Sequence, residues 1–271
     1  MEKKKISLVL SGGGARGYIH IGVIEELKKH FDIVSISGTS MGALIGGLEA
    51  CGKLDIYKEW VESLGVVDIL KFLKPPLKLN GDKIFNKIKE LVGDYQIEDL
   101  PIKFTAVAVD LNKNREVWFQ RGNLWNAIKA SSAIPGVFDS VEYNGMKLVD
   151  GGVLNLMPVA PVMSDMSDLI VSVNLYGENS IDFRVEVDSE AKKKTSILEE
   201  VWERLFDSEE SEVNLSIELM MSTIFRYRRA EYVADIEITF PEDIAKWYEF
   251  YRAVELIEIG RSYTRKILKM I

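Results

Sequence analysis

The sequence has 271 residues, of which 47% are hydrophobic and 28% are charged, and its formal net charge is -8. This size and composition are typical of a globular protein with a large core and exclude a disordered or fibrous chain. The acidic balance argues against a nucleic-acid partner and against electrostatic docking on anionic lipid, because both need clustered Lys and Arg side chains. The single cysteine, Cys51, excludes an internal disulfide and predicts a reducing, cytoplasmic location.

The N-terminal segment is basic and then apolar, as in a signal peptide, but its apolar run is short. Residues Ile6 to Leu10 are followed almost at once by glycines, which predicts a buried strand rather than a signal sequence. No uncharged apolar stretch approaches the roughly 20 residues that a membrane-spanning helix needs. The sequence therefore predicts peripheral membrane contact at most, made by apolar insertion.

Strand, glycine turn and helix follow one another twice in the first fifty residues, which is typical of an α/β sheet. The strand Lys5 to Ser11 precedes three glycines and then apolar residues at helical spacing from Ile19 to Leu27. A second strand, Ile33 to Ser37, leads through another glycine turn into a helix of small residues, Ala43 to Cys51. Both units predict parallel strands connected by helices.

Further along the chain, short apolar runs predict the remaining strands of the same sheet. These runs are Phe104 to Val109, Glu116 to Phe119, Lys147 to Asp150, Leu169 to Asn174 and Ala234 to Phe240. Helices are predicted at Asn126 to Ser132 and from about Ile244 to Leu268. The pattern predicts a single domain over residues 1–271, a three-layer α/β/α fold with a mainly parallel central sheet.

Two segments interrupt this alternation. From Val66 to Leu79, lysines interleave large apolar residues, which fits either a helix and turn packed on the core or a cap over an acyl-chain pocket. The acidic stretch from Gly177 to Glu212 predicts a solvated, mobile connection. Within it, Ser196 and Glu199 have the spacing of a capping box, so we expect an amphipathic helix that forms either a surface helix or a lid.

The candidate nucleophile is Ser40, at the centre of the motif GTSMG. This motif lies where the second strand ends and a helix begins, which is the context of a nucleophile elbow. Side chains in place of Gly38 and Gly42 would collide with the backbone of so tight a turn. The start of the helix adds positive potential near the serine oxygen. The motif alone also fits a plain glycine-rich turn, so the flanking strand and helix carry the assignment.

A serine hydroxyl needs a base to become a good nucleophile. The sequence contains two histidines, His20 and His30, and both precede Ser40, so the usual α/β-hydrolase order of serine, acid and histidine cannot be built. We expect His30 on the surface and His20 in a structural role. Asp150 ends a strand ahead of two glycines, where α/β active sites form, and is the candidate base. The alternative is a turn aspartate that caps its own loop.

The loop from Gly12 to Gly17 (GGGARG) is the candidate oxyanion hole. Backbone N–H groups at a glycine-rich helix start can stabilise the oxyanion that forms when an ester carbonyl is attacked. Within the segment Gly12 to Arg16, we expect Gly13, Gly14 and Ala15 to donate, and Arg16 to add positive charge or to anchor the loop.

Two other classes of function remain open at this point. The glycine loop also satisfies a dinucleotide-binding fingerprint, but that fingerprint expects an acidic residue at the end of the second strand, and Asp32 lies before this strand. A non-catalytic lipid-binding scaffold is the other alternative. No group of His, Cys and carboxylate residues has a metal-ligand spacing, so neither a metal nor another cofactor is expected.

These motifs, in this order, resemble the patatin-like phospholipase family. The resemblance rests on GGGARG with GYIHIGV after it, GTSMG, the DGG that begins at Asp150, and ASSAIPGVF at Ala130 to Phe138; it covers about residues 5–175 and again 234–260. It implies a Ser40–Asp150 dyad, an oxyanion hole at Gly12 to Arg16, an acyl-enzyme intermediate and phospholipid or lysophospholipid ester substrates. One departure is that relatives often carry a second asparagine beside Asn155.

Overall fold

The computed structural model describes residues 3–74, 78–178 and 212–270. Within these ranges, an eight-stranded sheet forms the centre of the fold. Its strands are β1 (Lys4–Leu10), β2 (Phe31–Thr39), β5 (Lys103–Asp110), β6 (Arg115–Phe119), β7 (Val141–Tyr143), β8 (Met146–Asp150), β9 (Leu169–Gly177) and β10 (Ile236–Pro241). The two-residue strands β3 (Leu73–Lys74) and β4 (Lys78–Leu79) form a separate antiparallel pair.

The sheet has a parallel part and an antiparallel part. Five adjacent strands, in the order β10-β9-β1-β2-β5, are parallel, and β6, β8 and β7 add antiparallel pairings beyond them. The prediction of a mainly parallel sheet flanked by helices is confirmed. Strand β1 is buried on both faces: Leu8 and Leu10 pack in the main core, and Val9 packs in a second cluster with Leu156 and Phe225.

The helices cover the two faces of the sheet and connect its strands. They are α1 (Ile19–His30), α2 (Met41–Ala50), α3 (Leu54–Glu62), α4 (Val66–Leu70), α5 (Gly81–Val92), α6 (Leu124–Ser131), α7 (Glu212–Glu231) and α8 (Ala253–Leu268). Among the described residues, no helix is both long enough and apolar enough to cross a membrane.

The structure contains elements that the prediction lacks and places one helix differently. Helices α3, α5 and α7 and strand β7 are absent from the prediction. The last helix begins at Ala253 rather than near Ile244, because Ala245 has an extended backbone (φ -159°) and the carbonyl of Trp247 accepts a hydrogen bond from the glycine loop. The segment Val66 to Leu79 contains α4 and the short strand pair. The helix expected around Ser196 lies outside the described residues.

Candidate active site

Ser40 lies in the turn between β2 and α2 with a strained backbone. Its φ of 56° and ψ of -125° fall in a region that residues with a side chain rarely adopt. A Cβ atom on Gly38 would lie 2.4 Å from the carbonyl oxygen of Gly42, and one on Gly42 would lie 2.3 Å from that of Leu10. The two glycines are therefore required by the close approach of three backbone segments, as the elbow motif predicts.

Side chains from distant parts of the sequence hold this turn in place. The Ser40 N–H donates to Oγ of Ser131 at 2.9 Å, and that hydroxyl donates to the Val107 carbonyl at 2.6 Å. The hydroxyl of Thr39 donates to the Asn155 carbonyl at 2.8 Å. Sequence reasoning gave no role to Ser131 or Asn155. The only sign of Ser131 was its place in the 130–138 stretch that carries part of the family resemblance.

The register of β5 brings Asp150 to the same end of the sheet as the serine turn. Consecutive residues of β5, Val107 and Ala108, pair with Thr39 of β2 and Asp150 of β8. The ends of these two strands therefore meet, although they are more than a hundred residues apart in sequence. The Asp150 N–H also donates to the Ala133 carbonyl at 3.0 Å, which fixes the strand end.

The Asp150 carboxyl is buried, with 5% of the residue exposed. Burial raises its pKa from 3.8 to about 6, and the nearby Ser40 hydroxyl and Gly152 N–H partly oppose this increase. Oδ1 accepts from the Gly152 N–H at 2.7 Å, whereas Oδ2 has no hydrogen bond of good geometry among the described residues. A desolvated carboxylate beside a serine hydroxyl, with a pKa close to neutral, can act as a general base.

The N–H groups of the glycine loop fall into two sets. Three of them donate to protein carbonyls: Gly12 to Leu156 (2.9 Å), Ala15 to Trp247 (2.8 Å) and Arg16 to Gly13 (3.2 Å). For the N–H groups of Gly13 and Gly14, the described residues provide no acceptor. Gly14 has φ of 55°, and a Cβ atom there would lie 2.5 Å from the Trp247 carbonyl oxygen. This geometry leaves Gly13 and Gly14 as the available donors, whereas Ala15, which was also expected to donate to an oxyanion, is bonded to the Trp247 carbonyl instead.

The contacts of Arg16 support an anchoring role. Its residue surface is 6% exposed, and its Nη1 donates to the Glu242 carbonyl at 2.8 Å. The guanidinium lies 4.5 Å from the ring centroid of Tyr176, and Nε donates to the Gly13 carbonyl at 3.3 Å. Arg16 therefore connects the loop to β9 and to the turn after β10.

His20 is buried in α1 with structural contacts. Its Nε2 lies 2.8 Å from the Ser11 carbonyl oxygen, so we assign the proton to Nε2 because a carbonyl can only accept. Burial lowers the pKa of His20 to about 4, which keeps the ring neutral. His30 ends α1 and is exposed. These contacts support the roles expected for both histidines.

An apolar cavity begins beside Ser40 and Gly14. It encloses about 740 Å³, its open mouth included, and its walls are formed mainly by aliphatic and aromatic side chains from α2 to α5. Ile69 of α4 and Phe72 line it, and Ile69 also packs in a core cluster with Tyr248. The described part of the segment Val66 to Leu79 therefore borders a cavity next to the candidate nucleophile.

The structure thus combines an α/β sheet with a strained serine turn, a buried carboxylate and two glycine N–H groups that have no acceptor among the described residues. The family model described as patatin-like phospholipase matches residues 8–163, more than half of the chain. The chain belongs to the patatin-like phospholipase family. The resemblance expected from the motifs is confirmed.

Similar proteins span bacteria and fungi. An uncharacterized NTE family protein of Mycobacterium bovis is 35% identical, with 98% of this chain and 91% of that protein covered. The lysophospholipase NTE1 of Meyerozyma guilliermondii is 29% identical over 69% of this chain, and the match spans 14% of the fungal protein. The crystal structure of VipD from Legionella pneumophila aligns with a TM-score of 0.50 at 14% identity, covering 99% of this chain and 67% of VipD. This last similarity shows the fold.

Proposed function

We propose that this protein is a serine acyl hydrolase that cleaves the carboxylic esters of phospholipids or lysophospholipids through Ser40 and Asp150. The observation that carries the proposal is a strained serine against a buried carboxyl with a pKa of about 6, beside an apolar cavity. Membership of the patatin-like phospholipase family and the lysophospholipase name of the fungal relative support a lipid substrate.

In the first half of the proposed reaction, Oγ of Ser40 attacks the ester carbonyl carbon while the Asp150 carboxylate accepts the hydroxyl proton. The carbonyl oxygen becomes an oxyanion, which the N–H groups of Gly13 and Gly14 stabilise because they have no protein acceptor within the described residues. Collapse of the tetrahedral intermediate breaks the bond to the leaving alcohol. Asp150 returns the proton to that alcohol, and the acyl group remains on Ser40.

In the second half, Asp150 takes a proton from water, and the resulting hydroxide attacks the acyl-serine carbonyl. The same two N–H groups stabilise the second oxyanion. Asp150 then protonates Oγ as the fatty acid leaves, so the enzyme returns to its starting state. A carboxyl group with a pKa of about 6 can both accept and release a proton near neutral pH.

The apolar cavity is the proposed site for the acyl chain. Its walls offer almost no polar atoms, so a fatty acyl chain fits the lining better than a polar head group does. Each CH₂ group transferred from water stabilises binding by about 0.8 kcal/mol, which favours long chains over short ones. The head group then lies on the opposite side of the ester, away from the cavity.

The experiment that tests this proposal is fatty acid release from a panel of lysophospholipids, phospholipids and simple esters. Release by the wild-type protein, and none by Ser40→Ala, supports the proposal. Lipid binding without release by the wild type would instead favour a lipid-binding scaffold. Tight dinucleotide binding without ester hydrolysis would favour the nucleotide-binding alternative.

Gly14→Ala is expected to lower kcat by on the order of a hundredfold or more, with little change in KM. The added Cβ would collide with the Trp247 carbonyl, so the loop must shift and its two free donors move. Gly52→Ala is the matched control, since Gly52 also has a positive φ (69°) but has nothing near its Cβ position. Full turnover by a folded Gly14→Ala variant would contradict the oxyanion role of the loop.

Filling the cavity should change the preference for acyl length. Ile69→Trp adds bulk to the cavity wall, so hydrolysis of long-chain esters should fall by about tenfold while that of acetyl esters changes little. The control is Val67→Trp on the same helix, because Val67 is exposed and does not line the cavity. The measurement is kcat/KM across a series of esters of increasing chain length. Equal losses for short and long esters would argue against this acyl site.

A further inference from the structure

Two similar side-chain triads hold the last turns of α7, and each contains an asparagine, a glutamate and an arginine. In the first, Arg228 pairs with Glu116, and Glu116 Oε2 accepts from Asn155 Nδ2 at 3.0 Å. In the second, Arg229 pairs with Glu237 at 2.8 Å, and Glu237 Oε1 accepts from Asn174 Nδ2 at 3.0 Å. The two triads share their chemistry and differ in what lies beyond the asparagine.

The first triad is hydrogen-bonded directly to the nucleophile turn and the aspartate loop, whereas the second approaches the site only through the contact of the Tyr176 ring with Arg16. The Asn155 carbonyl accepts from the hydroxyl of Thr39, the residue before Ser40, and the Asn155 N–H donates to the Gly151 carbonyl, next to Asp150. The following carbonyl, that of Leu156, accepts from the Gly12 N–H at 2.9 Å. Residues 155 and 156 therefore connect the nucleophile turn, the aspartate loop and the glycine loop. By contrast, the Asn174 side chain accepts from Tyr176, in its own strand β9.

Glu116 is the acceptor that fixes the Asn155 side chain. Its carboxylate takes hydrogen bonds from Asn155, from Arg228 and from Trp118 Nε1 at 2.8 Å. The Glu116 side chain is 13% exposed, and Asn155 is 3% exposed. Because Asn155 is buried, its side-chain amide can change orientation only if it loses its acceptor. That acceptor is the Glu116 carboxylate, which three donors hold in place.

We propose that Glu116 is a positioning residue for the hydrolysis reaction. It holds Asn155 in place, and the backbone of residues 155 and 156 in turn sets the relative positions of Ser40, Asp150 and the glycine loop. This inference rests on the proposed function. It also gives α7 a role, because Arg228 joins that helix to the same carboxylate.

The test compares Glu116→Met with Glu237→Met. Methionine at 116 keeps the approximate size of the side chain and removes both acceptor oxygens, so Asn155, Arg228 and Trp118 lose their shared partner. We expect Glu116→Met to lower kcat, and the saturating rate constant of fluorophosphonate labelling, by about tenfold with KM within about twofold. Glu237→Met should lose a similar amount of thermal stability and keep the wild-type labelling rate.

Four outcomes are informative. Equal labelling rates for Glu116→Met and the wild type would overturn the inference, and so would equal losses of rate in the two methionine variants. If Glu116→Met does not fold, Asn155→Leu replaces it, because leucine keeps the backbone bonds and removes only the side-chain link. Its labelling rate should fall by a similar factor, and an unchanged rate would also overturn the inference. A wild-type protein that neither labels nor hydrolyses any ester would instead remove the proposed function itself.

Discussion

Replacing Asp150 by asparagine is expected to lower kcat by on the order of a thousandfold or more. The amide has nearly the shape of the carboxyl but cannot accept the Ser40 proton. Asp110→Asn is a matched control, because Asp110 is also buried at a strand end and its Oδ1 also accepts from the N–H two residues later, at 3.0 Å. Steady-state hydrolysis of a lysophospholipid provides the measurement. Substantial activity in a folded Asp150→Asn variant would contradict the role of this base.

The pH dependence of kcat/KM should identify the same base as the variants do. Asp150 must be ionised to accept a proton, and burial raises its pKa to about 6, so activity should fall as the pH drops through about 6. A reaction that depended on His20 would keep its activity down to about pH 4, where that imidazole protonates. His20→Gln should therefore cost less than about tenfold, provided that the variant folds.

Replacing Ser40 by alanine is expected to reduce fatty acid release to the uncatalysed background, because the proposed acyl-enzyme forms on the Ser40 hydroxyl. Alanine has the same backbone restrictions as serine at a φ of 56°, so the turn should keep its shape. Ser172→Ala, at a buried serine on β9, controls for loss of a buried hydroxyl. The assay is release of labelled fatty acid, with circular dichroism to verify folding. Residual turnover above background would assign the nucleophile elsewhere.

The sequence could predict those parts of the fold and site that depend on short, local patterns of residues. Strand runs, glycine turns and the positions of Ser40 and Asp150 depend on patterns of about ten residues or fewer. Their meeting was expected from the convergence of strand ends at one edge of an α/β sheet. In the structure Asp150 lies on the antiparallel strand β8, and the register of β5, with Val107 opposite Thr39 and Ala108 opposite Asp150, brings the two residues together.

The parts that could not be predicted depend on contacts between distant residues. The hydrogen bonds made by Ser131 and Asn155 join segments about a hundred residues apart, and a serine or asparagine carries no local sign of them. Helix α7 was missed because its apolar residues do not form a single buried stripe: Leu219 is 63% exposed, whereas Phe225 is buried. The start of α8 was misplaced because residues near Trp247 serve the glycine loop instead of the helix.

The measurement that tests the central proposal most directly is trapping of the acyl-enzyme. The wild-type protein would be mixed with a lysophospholipid that carries an isotope-labelled acyl chain, quenched in acid during turnover, digested and mapped by mass spectrometry. The proposal predicts the labelled acyl group as an ester on Ser40, and its absence from the Ser40→Ala variant treated in the same way. An acyl group on a different residue, with Ser40 unmodified during active turnover, would contradict it.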